Sequence, residues 1–75
     1  MVDLPVLGRR EVVRVFIRLG WEVARQKGSH IVLTKKGHYA TLSVPDHKEL
    51  AKGTLRGLIR CAGLTVEDFL NAMKG

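Results

Sequence analysis

The stretch Lys27-Gly28-Ser29-His30-Ile31-Val32-Leu33 sets an imidazole directly after a Gly-Ser pair and at the start of an apolar run. Histidine is the side chain whose ordinary proton affinity best suits acid–base work near neutral pH. Gly28 lets the backbone come close to a ligand, and its amide, with that of Ser29, is of the kind that points at a phosphate. The Ser29 hydroxyl adds a donor. Arg25, Lys27, Lys35 and Lys36 flank the group in sequence. An imidazole among cations is the equipment for cleaving an RNA phosphodiester. The ring takes the proton of the 2′-hydroxyl or delivers one to the leaving oxygen, and the cations stabilise charge building on the phosphoryl oxygens. That route needs no metal. The plainer reading stands beside it: Gly-Ser is a common turn, and a lone histidine on a strand is usually a surface or hydrogen-bonding residue.

His47, in Val44-Pro45-Asp46-His47, follows a strand end and either approaches the same site or caps local backbone. His38 falls in a turn and is expected to be solvated. No pair of the three histidines has the short spacing of a structural zinc site, and no acidic cluster completes one, so neither a metal nor another cofactor is expected. Lys48, Lys52, Arg56 and Arg60 form a basic run. The last three are four apart and share one helical stripe if a helix reaches back to Lys52. The positive end of that helix, at Gly53-Thr54, is a phosphate-binding candidate, and an ordinary solvated face explains the run equally well. Tyr39 offers a ring for stacking on a base. Trp21 and Phe16 are most simply core residues, and Cys61 a helix-edge residue.

These side chains need elements to hold them. Residues 1–8 are a lead-in, and Gly8 is placed as an N-cap with Glu11 three residues on. Val12, Val15, Phe16 and Leu19 then recur at helical spacing, widened by Val13 and Ile17, and Gly20 stops the helix. Three short strands are predicted: Trp21–Gln26, Ser29–Lys35 and Tyr39–Val44, with turns at Lys27-Gly28 and Lys36-Gly37-His38. Alternation puts Ile31 and Leu33 on one side of the second strand, and His30, Val32 and Thr34 on the other. A tight turn at Lys36-Gly37 sets Leu33 beside Ala40, Ile31 beside Leu42 and His30 beside Ser43. A slip of one residue would scramble this sorting. The hairpin therefore has a core face and an open face, with His30 on the open one. Gly53 or Thr54 is expected to cap a second helix with Leu55, Leu58, Ile59 and Ala62 inward, ending at Gly63. Thr65-x-x-Asp68 reads as the capping box of a third, which Val66, Phe69, Leu70 and Met73 continue. The order α-β-β-β-α-α is α+β, with helices on one face of a three-stranded antiparallel sheet.

The 75 residues make one domain, 1–75, with 45% hydrophobic residues, a globular composition. No apolar run approaches a membrane span, no secretory signal is visible, and one cysteine makes no disulfide; a cytoplasmic protein with no membrane or small-molecule partner is expected. Thirteen Lys and Arg against seven Asp and Glu give a net charge of +6. On so small a body that field draws in polyanions, nucleic acid or an acidic protein, or simply keeps the chain soluble.

The ordered motifs resemble those of the HicA toxins, also called the YcfA-like family, of toxin–antitoxin pairs. The likeness rests on Leu19-Gly20-Trp21, Arg25-Gln26-Lys27-Gly28-Ser29-His30, Val44-Pro45-Asp46-His47, Leu50-x-x-Gly53-Thr54-Leu55, Ile59, Ala62-Gly63-Leu64 and Phe69, and runs essentially the whole chain. The resemblance implies a fold like that of double-stranded-RNA-binding domains and a ribonuclease that cuts messenger RNA and halts translation. It implies that His30 is the catalytic residue, and that a HicB antitoxin with a typically acidic sheltering domain covers the site. A catalytic role for His47 does not follow from it. The expectation is a metal-independent endoribonuclease in which His30 works with Ser29 or His47, and RNA is held by Arg25, Lys27, Gly28, Lys35, Lys36, Lys52 and Arg56. The alternatives are a non-catalytic RNA-binding module of the same fold and an interaction domain for an acidic protein.

Overall fold

The computed structural model describes residues 4–74, so Met1–Asp3 of the lead-in and Gly75 lie outside the described residues. The elements are α1 (Arg9–Arg18), β1 (Glu22–Lys27), β2 (His30–Thr34), β3 (Leu42–Pro45), α2 (Lys52–Cys61) and α3 (Val66–Lys74). The three strands form one antiparallel sheet in the order β1-β2-β3. The α+β reading and the element order hold.

Local hydrogen bonding explains most helix ends. Gly8 is extended, and its N–H donates to the Glu11 carboxylate at 3.4 Å, which opens α1. At the far end the Trp21 N–H reaches the Phe16 carbonyl (2.9 Å) and the Gly20 N–H the Ile17 carbonyl (3.0 Å), the paired bonds of a Schellman stop. Leu64 to Ile59 and Gly63 to Arg60 repeat the pattern after α2. Thr65 and Asp68 cap α3 reciprocally: the Thr65 N–H donates to the Asp68 carboxylate at 2.9 Å, and the Asp68 N–H to the Thr65 hydroxyl at 3.1 Å. The start of α2 departs from expectation. Its N-cap is Ala51, with no side-chain cap, rather than Gly53 or Thr54. A tertiary anchor sets it: Leu50 is buried and its N–H donates to the Leu7 carbonyl at 2.8 Å, so the chain is fixed just before the helix begins.

All buried side chains among the described residues are apolar. Leu33, Leu42 and Val44 of the sheet meet Val12, Val15 and Phe16 of α1, Leu55 and Ile59 of α2 and Phe69 of α3 in one core, which Leu4 and Leu7 of the lead-in join. Phe16 sits at its centre, 5.3 Å from Phe69 and 6.3 Å from Trp21 between ring centroids. The helices thus cover one face of the sheet.

The strand register differs from the expected one by two residues. His30 pairs with Pro45, Ile31 with Val44, Val32 with Ser43 and Leu33 with Leu42. The connection from β2 to β3 is longer than a tight turn, and β3 begins at Leu42 rather than Tyr39. The His38 N–H donates to the Lys35 carbonyl at 3.0 Å across a turn with Gly37 at φ +82°, and the chain then makes an excursion before entering β3. His38 explains the excursion. Its ring lies 4.9 Å from that of Trp21 and stacks on Tyr39 at 5.3 Å, and its Nδ1 accepts the Ala40 N–H at 3.2 Å. It is therefore a half-buried packing residue and not a solvated turn residue. Because the slip is even, the paired side chains of β2 and β3 keep their expected faces, while Tyr39, Ala40 and Thr41, expected in the strand, lie in the connection.

Leu33 has no exposed surface. Leu33→Ala is expected to lower the unfolding free energy by about 2–5 kcal/mol, while His30→Ala, at an exposed position, changes it by no more than about 0.5 kcal/mol. Urea unfolding followed by circular dichroism checks both.

Candidate functional site

The turn joining β1 to β2 is Gly28-Ser29, not Lys27-Gly28, because Lys27 pairs directly with His30. Gly28 has φ +59° and, among the described residues, no non-glycine has positive φ, which is the pattern of a two-residue type II′ hairpin turn with glycine first. A Cβ at Gly28 would meet nothing within 4 Å, so conformation rather than crowding demands the glycine, and open space surrounds it.

From this turn the pairing builds the site in rows. Lys27, His30 and Pro45 form the first; Arg25, Val32 and Ser43 form the second. Directly paired side chains share a face, with Cβ atoms about 4.5–5.5 Å apart. A bulge at Ala24 makes this arrangement possible. Val23 pairs with Leu33 on the helix side, yet Arg25 pairs with Val32 on the other; without the extra residue both would share a face. His30 is exposed on the helix-free face, with Lys27 opposite it and Arg25 one row away.

Lys35 and Lys36 lie elsewhere. They follow the far end of β2, about 16 Å from His30 at the rise of an extended strand, and the Lys35 side chain lies over Gly20. Lys52 opens α2 and Arg56 follows one turn on, with Arg60 beyond, so the expected stripe exists on an exposed flank of the helical layer. Tyr39 is 98% exposed but belongs to the β2–β3 connection, not to β3.

The loop after β3 is held to the Gly-Ser-His turn. The Asp46 N–H donates to the Ser29 carbonyl at 2.8 Å. The Asp46 carboxylate accepts from Gln26 Nε2 at 3.2 Å and forms an ion pair with Arg9 Nε. The His47 carbonyl accepts the Arg9 N–H at 3.1 Å, at the start of α1. Gly8 permits this docking, since a Cβ there would overlap the Lys48 carbonyl oxygen. The loop carrying the exposed His47 thus stands beside the start of β2, one and two residues beyond the partner of His30. Asp46 and Gly8 escaped the sequence reading as parts of the site. Their signals, an acidic residue just after a strand-ending proline and a glycine before the first helix, have meaning only once the two segments meet.

Among the described residues no three of His, Cys, Asp and Glu converge as metal ligands do. The arrangement offers one proton-transfer group, a hydroxyl at Ser29 and two cations, open to solvent on a helix-free surface.

A family model described as the HicA toxin of bacterial toxin–antitoxin systems matches residues 9–64. The chain belongs to the HicA toxin family. A chain from a toxin–antitoxin complex of Streptococcus pneumoniae is similar in structure, with a TM-score of 0.70 and 37% identity over 77% of this chain and 98% of that one. No curated protein matches. The span that matches the HicA family runs from the start of α1 to just past α2, and so holds both the Gly-Ser-His turn and the Asp46 loop. α3 lies beyond it, although Phe69 from α3 closes the core.

The anchoring of the turn is testable apart from activity. Asp46→Ala leaves Arg9 and Gln26 without their acceptor, and amide exchange at positions 46 and 30 is expected to quicken about tenfold as the corner opens more often. Hydrogen exchange read by NMR, with Leu33 as an internal reference, checks this.

Proposed function

We propose that this HicA-family toxin is a metal-independent endoribonuclease acting on messenger RNA in the cytoplasm, and that a HicB-type antitoxin neutralises it. The observation that carries this reading is the exposed imidazole of His30 on the helix-free face, paired with Lys27 and one row from Arg25. Family membership supports it, since the family is that of toxins, and the similar Streptococcus pneumoniae chain comes from a toxin–antitoxin complex.

In this reading His30 takes the proton of the 2′-hydroxyl adjacent to the scissile bond. The 2′-oxygen attacks phosphorus and the 5′-oxygen leaves with a proton from His47 or water, giving a 2′,3′-cyclic phosphate and a 5′-hydroxyl end. Lys27 and Arg25 meet the negative charge on the phosphoryl oxygens, and the Ser29 hydroxyl and Gly28 amide add donors. Lys35, Lys36, Lys52 and Arg56 stand farther out and hold the flanking backbone.

Incubation with RNA in EDTA tests the chemistry. Cleavage is expected to survive chelation, to leave cyclic phosphate ends and to fall by about 100-fold or more in His30→Ala. Equal cleavage by both proteins would remove His30 from the mechanism. Binding without new ends would favour the RNA-binding module instead.

Distance grades the cations. Lys27→Ala is expected to lower kcat/KM by about tenfold and flatten the salt dependence by about one ionic contact. Lys36→Ala should change kcat/KM no more than about twofold. Cleavage rates measured across a salt series separate the two.

A further inference from the structure

α1 carries two apolar rows. Val12, Val15 and Phe16 enter the core, while Val13 and Ile17, one turn apart, form a second row that the core does not close over; Ile17 is 50% exposed. Facing it from the helix side of the sheet are Val23, also 50% exposed, and Ile31. Between them runs an open groove of about 540 Å³, with Arg10 and Arg14 on its rim and, among the described residues, no carboxylate in its lining.

A chain of this length has little apolar surface to spare, and two half-exposed aliphatic side chains facing one another across a groove mark a surface that is covered in use. The chemistry of the walls selects the cover. Aliphatic groups offer a phosphodiester backbone nothing, and a base would look for an aromatic plane, which this groove lacks. Guanidinium groups above an aliphatic floor suit carboxylates carried beside aliphatic side chains. The bulge at Ala24 disturbs the free edge of β1 and disfavours simple strand addition, which leaves the groove itself as receptor. We propose that this groove docks an acidic amphipathic segment of the antitoxin, its aliphatic side chains between Ile17 and Val23 and its carboxylates on Arg10 and Arg14. The proposal rests on the reading of the chain as the toxin of a pair. It adds an anchor on the helix side of the sheet, apart from the face that presents His30.

The test is a methyl- and amide-detected NMR titration of the full chain with two probes. One is a peptide of about twelve residues with leucines along one helical face and glutamates elsewhere, the length of a typical groove-bound helix. The other is a short 2′-O-methyl RNA, which cannot be cleaved. The peptide is expected to shift the methyls of Val13, Ile17, Val23 and Ile31, and the RNA the amides of Lys27 and His30. Combined Arg10→Glu and Arg14→Glu should weaken the peptide by about tenfold or more, with an unchanged Tm showing that the fold is intact. Peptide that leaves the four methyls unmoved, peptide affinity indifferent to the charge reversal, or RNA that moves the groove methyls would each overturn the proposal. His30→Ala keeps the two readings apart. It should remove cleavage and leave peptide affinity as it was, so a chain that binds peptide without cutting RNA loses only the ribonuclease reading.

Discussion

The hydrogen bond from the Asp46 N–H to the Ser29 carbonyl governs the corner of the molecule that carries the candidate site. Pro45 has no N–H to donate, so pairing between β2 and β3 would otherwise fade at His30. The Asp46 amide carries it one residue further, and the Asp46 carboxylate then ties the same point to Gln26 of β1 and Arg9 of α1. A hairpin tip in water is a mobile element. Here the tip is bound to the first turn of a helix and to a loop that is itself pinned through Leu50 and Leu7.

One-sided burial follows from size. So short a chain fills a single core, and the helices spend their apolar faces on one side of the sheet. Apart from Val32, which is buried between Arg25 and Ser43, the other side carries mainly charged and polar groups, where an exposed side chain such as His30 costs little stability. The histidines show the consequence. His30 stands on the free side, His38 is absorbed between Trp21 and Tyr39, and His47 rides on a loop held by its backbone, through Arg9 and Pro45.

The cationic surface is likewise divided. Arg25 and Lys27 attend the turn, Arg10 and Arg14 rim the groove beside α1, and Lys52, Arg56 and Arg60 run along α2. A net charge of +6 speaks of attraction to anions in general. Its distribution over the two sides of the sheet is what lets the proposed function and the proposed groove assign a nucleic acid and an acidic protein segment to separate faces.

Local rules were legible in the amino-acid order alone. The stops at Gly20 and Gly63 and the box at Thr65 and Asp68 depend on bonds spanning a few residues, and each formed as read. The faces of β2 and β3 were also legible, because burying Leu33 and Leu42 on one side forces His30 to the other. Tertiary structure decided what those rules leave degenerate. A two-residue slide of β3 preserves every face, so alternation cannot choose between registers; the packing of His38 on Trp21 and the Asp46–Ser29 bond do. In the same way the start of α2 came from Leu50, and the separation of Lys35 from His30 came from strand length. Contacts between residues far apart in sequence carry no local signature, and the anchoring of the site by Asp46, Arg9 and Gly8 consists of nothing else.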